Sequence, residues 1–205
     1  MPGRFFLTTP MTEVAEQLCV PVGDLTDEPP RQNIQPGQDI VVLTPLGLTQ
    51  MRWGMIPVGR VNARGRPVME TIINARSETV FDKSAFDGVG RAIIPVDGWY
   101  EWTGEKRRKT TWRLSARDGR PLFFAAITDV WIAPGGLQVP QAAAVTCEPN
   151  ADVEPIHHRM GVILKEDDVQ TWLTGEEGVA RDLMRPLPNG LLDIREAKDV
   201  NWSSP

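Results

Sequence analysis

A carboxylate set among aromatic residues is the first group in this chain with a claim to chemistry. The stretch Gly98-Trp99-Tyr100-Glu101-Trp102 places two of the seven tryptophans and the one tyrosine beside Glu101. In an extended run successive side chains alternate, so Glu101 shares a face with Trp99 while Tyr100 and Trp102 point the other way. A carboxyl among aromatics is poorly solvated, which favours its neutral form and raises its pKa. A group tuned in this way serves as a general acid or base near neutral pH. The same residues also read as an edge-strand Glu with its head in water beside core tryptophans. Taken alone, the stretch favours that plainer arrangement.

Other polar groups stand among apolar strand residues: Asn74, Arg76, His157 and Arg159. Ser77 and Ser115 are candidate nucleophiles, but there is no Gly-x-Ser-x-Gly elbow, and neither a dinucleotide-binding fingerprint nor a P-loop occurs. Cys19 and Cys147 lack the pairwise spacing of a zinc site. The adjacent His157 and His158, if on a strand, would face opposite sides and could not share one ion. No metal and no cofactor is expected.

The elements that must hold these groups are short. Thr9-Pro10 with Glu13 reads as a capped helix start, Met11, Val14, Ala15 and Leu18 give it one apolar face, and Pro21 and Gly23 end it. Residues 40–43 and 48–53 read as strands joined by a turn at Pro45-Leu46-Gly47. Residues 58–67 form a basic loop with Arg60, Arg64 and Arg66. Ile72-Ile73 is extended, and from Asn74 to Glu78 the pattern turns or becomes a short helix. A short helix is expected over Phe81–Phe86. Strands follow at 93–96, 98–102, 111–115, 122–127 and 141–146, with a loose Asp97-Gly98 corner and a charged hairpin tip at Glu105–Lys109. Short helices are expected at 167–173 and 178–184, and the last five residues form a tail or docking strand.

With 205 residues, 18 Pro and 18 Gly, the chain suits one domain of many short strands over residues 1–205. Its net charge of −5 argues against nonspecific coating of nucleic acid, yet leaves room for a local basic groove. No apolar run has membrane-spanning length and no leader is evident, so the cytoplasm is the expected compartment.

Six ordered blocks carry a family resemblance: Gly3-Arg4-Phe5, Arg31-x-Asn33-Ile34-x-Pro36, Arg52-Trp53-Gly54-Met55-Ile56-Pro57, Asn74-Ala75-Arg76-x-Glu78-Thr79, Gly98–Trp102 and Ile156-His157-x-Arg159-Met160. From residue 3 to about 173 the chain resembles the SOS-response-associated peptidase (SRAP) family, proteins that cap abasic sites in single-stranded DNA. The resemblance implies a single α+β domain with a mainly antiparallel, barrel-like strand core (the SRAP fold) and peripheral helices, acting as a monomer near the nucleoid. It implies a basic cleft for single-stranded DNA, Schiff-base chemistry of lyase type, and N-terminal processing. Members carry a cysteine at position 2 whose amine and thiol form a stable thiazolidine with the opened sugar; here the residue is Pro2. By position, Asn74 would orient residue 2 and the sugar, while Glu101 and His157 would move protons. Arg4, Arg76 and Arg159 would hold phosphates, Thr146 would line the cleft, and Trp53 or Trp102 could stack on a base. His158, Gly161 and Val58-Gly59-Arg60 also depart from the family pattern. Pro2 leaves open a transient iminium, a noncovalent DNA-binding member, or a peptidase using Ser77.

Overall fold

The computed structural model describes residues 2–56, 64, 71–105, 108–133, 135–198 and 200–203. The basic loop expected at 58–67 therefore lies outside the described residues except for Arg64. Two sheets and three α-helices make the fold among the described residues. The strands are β1 (Phe5–Leu7), β2 (Arg31–Ile34), β3 (Asp39–Thr44), β4 (Gly47–Trp53), β5 (Asn74–Arg76), β6 (Gly90–Val96) and β7 (Gly98–Glu105). They continue as β8 (Arg108–Ala116), β9 (Leu122–Ile132), β10 (Gln138–Cys147), β11 (Met160–Gly161), β12 (Ile163–Leu164) and β13 (Leu192–Glu196). The helices are α1 (Met11–Gln17), α2 (Glu166–Thr174) and α3 (Glu177–Leu183).

One sheet closes on itself: β10, β4, β3, β6 and β9 are successive neighbours, and β9 pairs back onto β10. Closure removes the unpaired edges that an open sheet would expose. Most pairings are antiparallel, but β4 and β5 run parallel to β10 along the same side. The second sheet has the order β13-β8-β7-β1-β2. The expected α+β architecture with a barrel-like core is thus the observed one.

The barrel is lined by the apolar residues of strands that read as near-continuous hydrophobic runs, such as Ala92-Ile93-Ile94 and Phe123–Ile127, all at most 2% exposed. Aromatics join it to the second sheet. Phe5 stacks on Trp53 at 4.1 Å between centroids and meets Phe124 edge-on at 5.4 Å. Trp99 approaches Phe124 from the other strand at 5.4 Å. Offset and edge-to-face pairs of this kind add about 0.5–1.5 kcal/mol each beyond their area. Helix α2 lies against the barrel through Val169, Trp172 and Leu173, and the Trp172 indole N–H donates to the Ala92 carbonyl at 2.8 Å.

Several sequence expectations change in detail. Thr9 does not cap α1; Pro10 occupies the cap position, and the Thr9 hydroxyl donates instead to Asp97 at 2.7 Å. Helix α1 ends at Gln17 with Leu18 as its cap; Cys19 beyond it takes φ 54°, and the Val20 N–H closes onto the Ala15 carbonyl at 3.0 Å, before Pro21 is reached. Asn74–Arg76 is a strand, because β10 offers it a ladder that local sequence does not reveal. The Phe81–Phe86 helix shrinks to one 3-10 turn at Ser84–Phe86.

The Asp97-Gly98 corner is tight, not loose. A Cβ on Gly98 would sit 2.0 Å from the Leu114 carbonyl oxygen and 2.6 Å from the Phe6 ring. Gly98→Ala should therefore destabilise the protein by about 3 kcal/mol, the upper part of the usual overpacking range. Urea titration will read this as a lower midpoint at unchanged slope.

Candidate functional site

Three stretches of backbone meet at the beginning of the chain. The first is the amino-terminal end itself. Strand β1 sits between β2 and β7, with Phe5 opposite Trp99 and Phe6 opposite Gly98, and the Tyr100 N–H donates to the Arg4 carbonyl at 3.0 Å. Pro2 is buried. The second is β5, whose Asn74 donates from Nδ2 to the Pro2 carbonyl at 2.8 Å. Its Oδ1 is buried without a hydrogen-bond partner among the described residues, an acceptor available to a bound molecule. The third is the turn between β10 and β11, which carries His157 and Arg159.

Glu101 comes from the strand beside the chain start. Strand β7 is internal to its sheet, flanked by β8 and β1, so the edge-strand reading of Glu101 fails. The residue is 3% exposed, opposite Trp112 on β8. Burial pushes its carboxyl above the ordinary range, and the positive charge of the amino terminus draws it partly back. Burial also lowers His157, and the amino-terminal charge acts in the same direction. One group thus tends to hold a proton and the other to lack one, the separation an acid–base pair requires.

His157 lies in a turn, not on a strand. The Arg159 N–H donates to its Nδ1 at 2.9 Å, and the Arg159 carbonyl lies 3.1 Å from the same nitrogen. In one neutral tautomer Nδ1 accepts the first contact; in the other it carries the proton, donates to the second and leaves Nε2 free to accept. The imidazole can therefore exchange a proton without turning. The His158 ring stacks on His157 at 4.3 Å, so the premise that the neighbours face opposite ways is corrected. Among the described residues no group of His, Cys, Asp or Glu is arranged to hold a metal.

Arg159 is not a free phosphate clamp. It is 5% exposed; its guanidinium makes a two-pronged pair with Glu78 and donates to the Thr146 carbonyl at 2.5 Å and the Thr146 hydroxyl at 3.3 Å. This buried fork fixes the turn that carries His157. Thr146 is fully buried and also bonds the Ala75 carbonyl at 3.2 Å, so it supports the cleft from behind. Trp53 is fully buried, stacked on Phe5 and donating from its indole to the Ile73 carbonyl at 3.1 Å; it presents no face to a base. Trp102 is half-buried beside Trp202.

Arg76 is an exposed cation, its side chain 63% exposed and only loosely paired with Glu78 at 3.6 Å. Arg4 is half-buried and donates to Asn33 Oδ1 at 3.2 Å. Sequence reasoning assigned no part to Glu78 or Asp97, although the alternation Asn74-x-Arg76-x-Glu78 already set a carboxylate beside the arginines. The Ser77 hydroxyl lies 3.4 Å from Glu78, whose carboxyl is held at about 2 chiefly by Arg159, too weak a base to activate a nucleophile. Ser115 is buried in β8. The Cys147 thiol is pushed up to about 12 by burial and is equally inert.

The chain start, with Asn74 on the Pro2 carbonyl, thus lies near a buried carboxyl and a histidine. The chain matches the SOS response associated peptidase (SRAP) family over residues 1–201 and belongs to it. It is 31% identical over 185 residues to the abasic site processing protein YoqW of Bacillus subtilis, covering 84% of this chain and 80% of that one. It is 29% identical over 153 residues to the abasic site processing protein YedK of Escherichia coli, covering 71% and 65%. A solved structure of a Bacteroides thetaiotaomicron protein superposes with a TM-score of 0.82 at 20% identity, over 96% of this chain and 92% of that one. No helix among the described residues is long and apolar enough to cross a membrane.

The Glu78–Arg159 pair makes stability depend on acid. The folded-state pKa of Glu78 is depressed from 4.5 to about 2, so its contribution is present above the unfolded value and is lost as pH falls through that window. Glu78→Gln should flatten this acid limb in urea titrations. It should also cost on the order of 2 kcal/mol at neutral pH, less than for a fully buried pair because Glu78 is partly in water.

Proposed function

We propose that this protein recognises abasic sites in single-stranded DNA, as part of the response to DNA damage, and engages the opened sugar aldehyde at residue 2. The observation that carries this reading is the Asn74 hydrogen bond to the Pro2 carbonyl, which fixes the position of residue 2 near the buried acid Glu101. The names of the curated relatives support the substrate class.

The chemistry follows from the residue types. With Met1 removed, Pro2 presents a secondary amine with a pKa of about 8. Its nitrogen lone pair attacks the aldehyde carbon and gives a carbinolamine. Protonation of the carbinolamine oxygen, from Glu101 in its neutral form, lets that oxygen leave as water and produces an iminium cation. His157, neutral and held by the Arg159 backbone, first takes the proton that the ammonium form of Pro2 must lose before its nitrogen can attack. A secondary amine with no thiol cannot close to a thiazolidine. The iminium then reverts with water, or it loses a proton from the adjacent sugar carbon and expels the 3′ phosphate by β-elimination. The crosslink is therefore transient. Arg76 and Arg4 face the phosphates that flank the lesion, and arginine forks suit such oxygens.

A noncovalent reading has its own support, since Pro2 is buried and a retained Met1 would block its nitrogen. Intact mass measurement separates the two: retention of Met1 sinks the iminium mechanism.

Incubation with an abasic single-stranded oligonucleotide should give a protein–DNA species only when borohydride is added. Pro2→Cys, once its Met1 is removed, should give one that survives without reductant. Glu101→Gln should slow trapping by about 100-fold, the lower end of the usual general acid contribution. Trapping at an unchanged rate in Glu101→Gln would remove Glu101 from the mechanism.

A further inference from the structure

The second sheet carries cations on the face turned away from Glu101. Tyr100 on β7 lies opposite Arg113 on β8, and Arg113 lies opposite Arg195 on β13. Residues directly opposed in a ladder share a face, so two arginines stand side by side there. Like charges in that position destabilise a sheet unless something neutralises them. Arg113 meets no carboxylate among the described residues; its guanidinium lies over the Phe6 ring at 4.1 Å. Arg195 has only a loose pair with Asp193 at 3.6 Å, and its side chain is 62% exposed.

These arginines line a cleft of about 410 Å³ with Gln32, Tyr100, Glu196 and Lys198. Among the described residues three cations and one carboxylate line it, with Lys198 3.5 Å from Glu196, in a chain whose net charge is −5. Aromatic rings stand beside it. Trp202 packs edge-on against Tyr100 at 5.0 Å and tilted against Trp102 at 5.7 Å, and Asn33 Nδ2 holds the Trp202 carbonyl at 3.0 Å. Trp202 remains 38% exposed. A groove that pairs cations with a partly open indole has the composition used to bind single strands: phosphates on the cations, a base on the ring.

We propose that this cleft binds the backbone of single-stranded DNA outside the abasic-site pocket, with Arg113 and Arg195 sharing a phosphate and Trp202 stacking on a neighbouring base. The identity of the strand rests on the reading under Proposed function; the anion site rests on the Arg113–Arg195 pair alone. Stacking on Phe6 fixes the Arg113 fork before the strand arrives, and the phosphate relieves the repulsion between the two guanidinium groups.

The test uses fluorescence anisotropy over a salt series with oligonucleotides of about five and about twenty nucleotides, the shorter also made with an abasic site. Arg195→Glu, an exposed change that leaves the core untouched, should weaken binding of the longer strand by about tenfold. It should also reduce the salt slope by about one unit or slightly more. The shorter abasic strand should be trapped by borohydride at the wild-type rate. Trp202→Ala should weaken the longer strand without changing its salt slope. Equal affinity and slope for wild type and Arg195→Glu, with the long strand still sensitive to Arg76→Ala, would overturn the second contact and leave the abasic-site reading standing. If wild type binds no oligonucleotide, the abasic-site reading falls and takes the DNA contact with it. Tripolyphosphate quenching of tryptophan fluorescence that depends on Arg195 would then still support the anion site, and quenching that ignores Arg195→Glu would overturn it.

Discussion

The carboxylate of Asp97 holds the beginning of the chain in place. It accepts hydrogen bonds from the backbone N–H groups of Thr8 and Thr9 and from both their hydroxyls, at 2.7–3.0 Å. Its own N–H donates to the Phe6 carbonyl at 2.9 Å. An amino-terminal segment of a few residues normally frays, because ordering it costs about 1–2 kcal/mol of backbone entropy per residue. Five hydrogen bonds at the corner between β6 and β7 oppose that cost. Hydrogen bonds to a charged acceptor contribute about 1.5–3 kcal/mol each, which suffices for a three-residue strand. Once β1 is fixed between β2 and β7, Pro2 has one place to go, and Asn74 meets its carbonyl there.

Strand β7 then divides its work by the two-residue period of extended backbone. Trp99 and Glu101 face inward, and their pairing with Leu114 and Trp112 keeps the carboxyl out of water. Tyr100 and Trp102 face outward against Phe6 and Trp202. The Tyr100 hydroxyl donates to the Gln32 carbonyl at 3.0 Å, which ties β7 to β2 across β1. The rigidity of the outer layer is what lets a desolvated acid be held in one position on the inner face. Gly98 makes the geometry possible, since any Cβ there would collide with the backbone of β8.

Much of this was legible in the sequence because the signals are local. The alternation in Trp99–Trp102 gave the two faces, the apolar runs at 40–43, 93–96 and 122–127 gave barrel strands, and ordered motifs gave the family. What escaped reading depends on distant partners. Asn74–Arg76 has no strand pattern of its own and is extended because β10 pairs with it. Asp97 looked like a turn residue, since nothing nearby says that two threonines 89 and 88 positions earlier will bond to it. Trp53 and Thr146 sit in motifs associated with a cleft, yet both are fully buried, and spacing alone does not separate a wall from the layer that supports it.

Arg159 shows the same distinction at the level of charge. A guanidinium placed in a motif beside a histidine invites assignment to a phosphate, and an exposed one would serve. Once it is 5% exposed, its charge is stable only with a partner already present, and Glu78 with Thr146 supplies it. Transfer to a phosphate would strand Glu78 and release the turn that holds His157, so the exchange would dismantle the site it was meant to serve. A phosphate would be met instead by cations that water still reaches, and Arg76 is one such cation. The buried arginine acts one step away: through its backbone N–H and carbonyl it fixes the His157 ring.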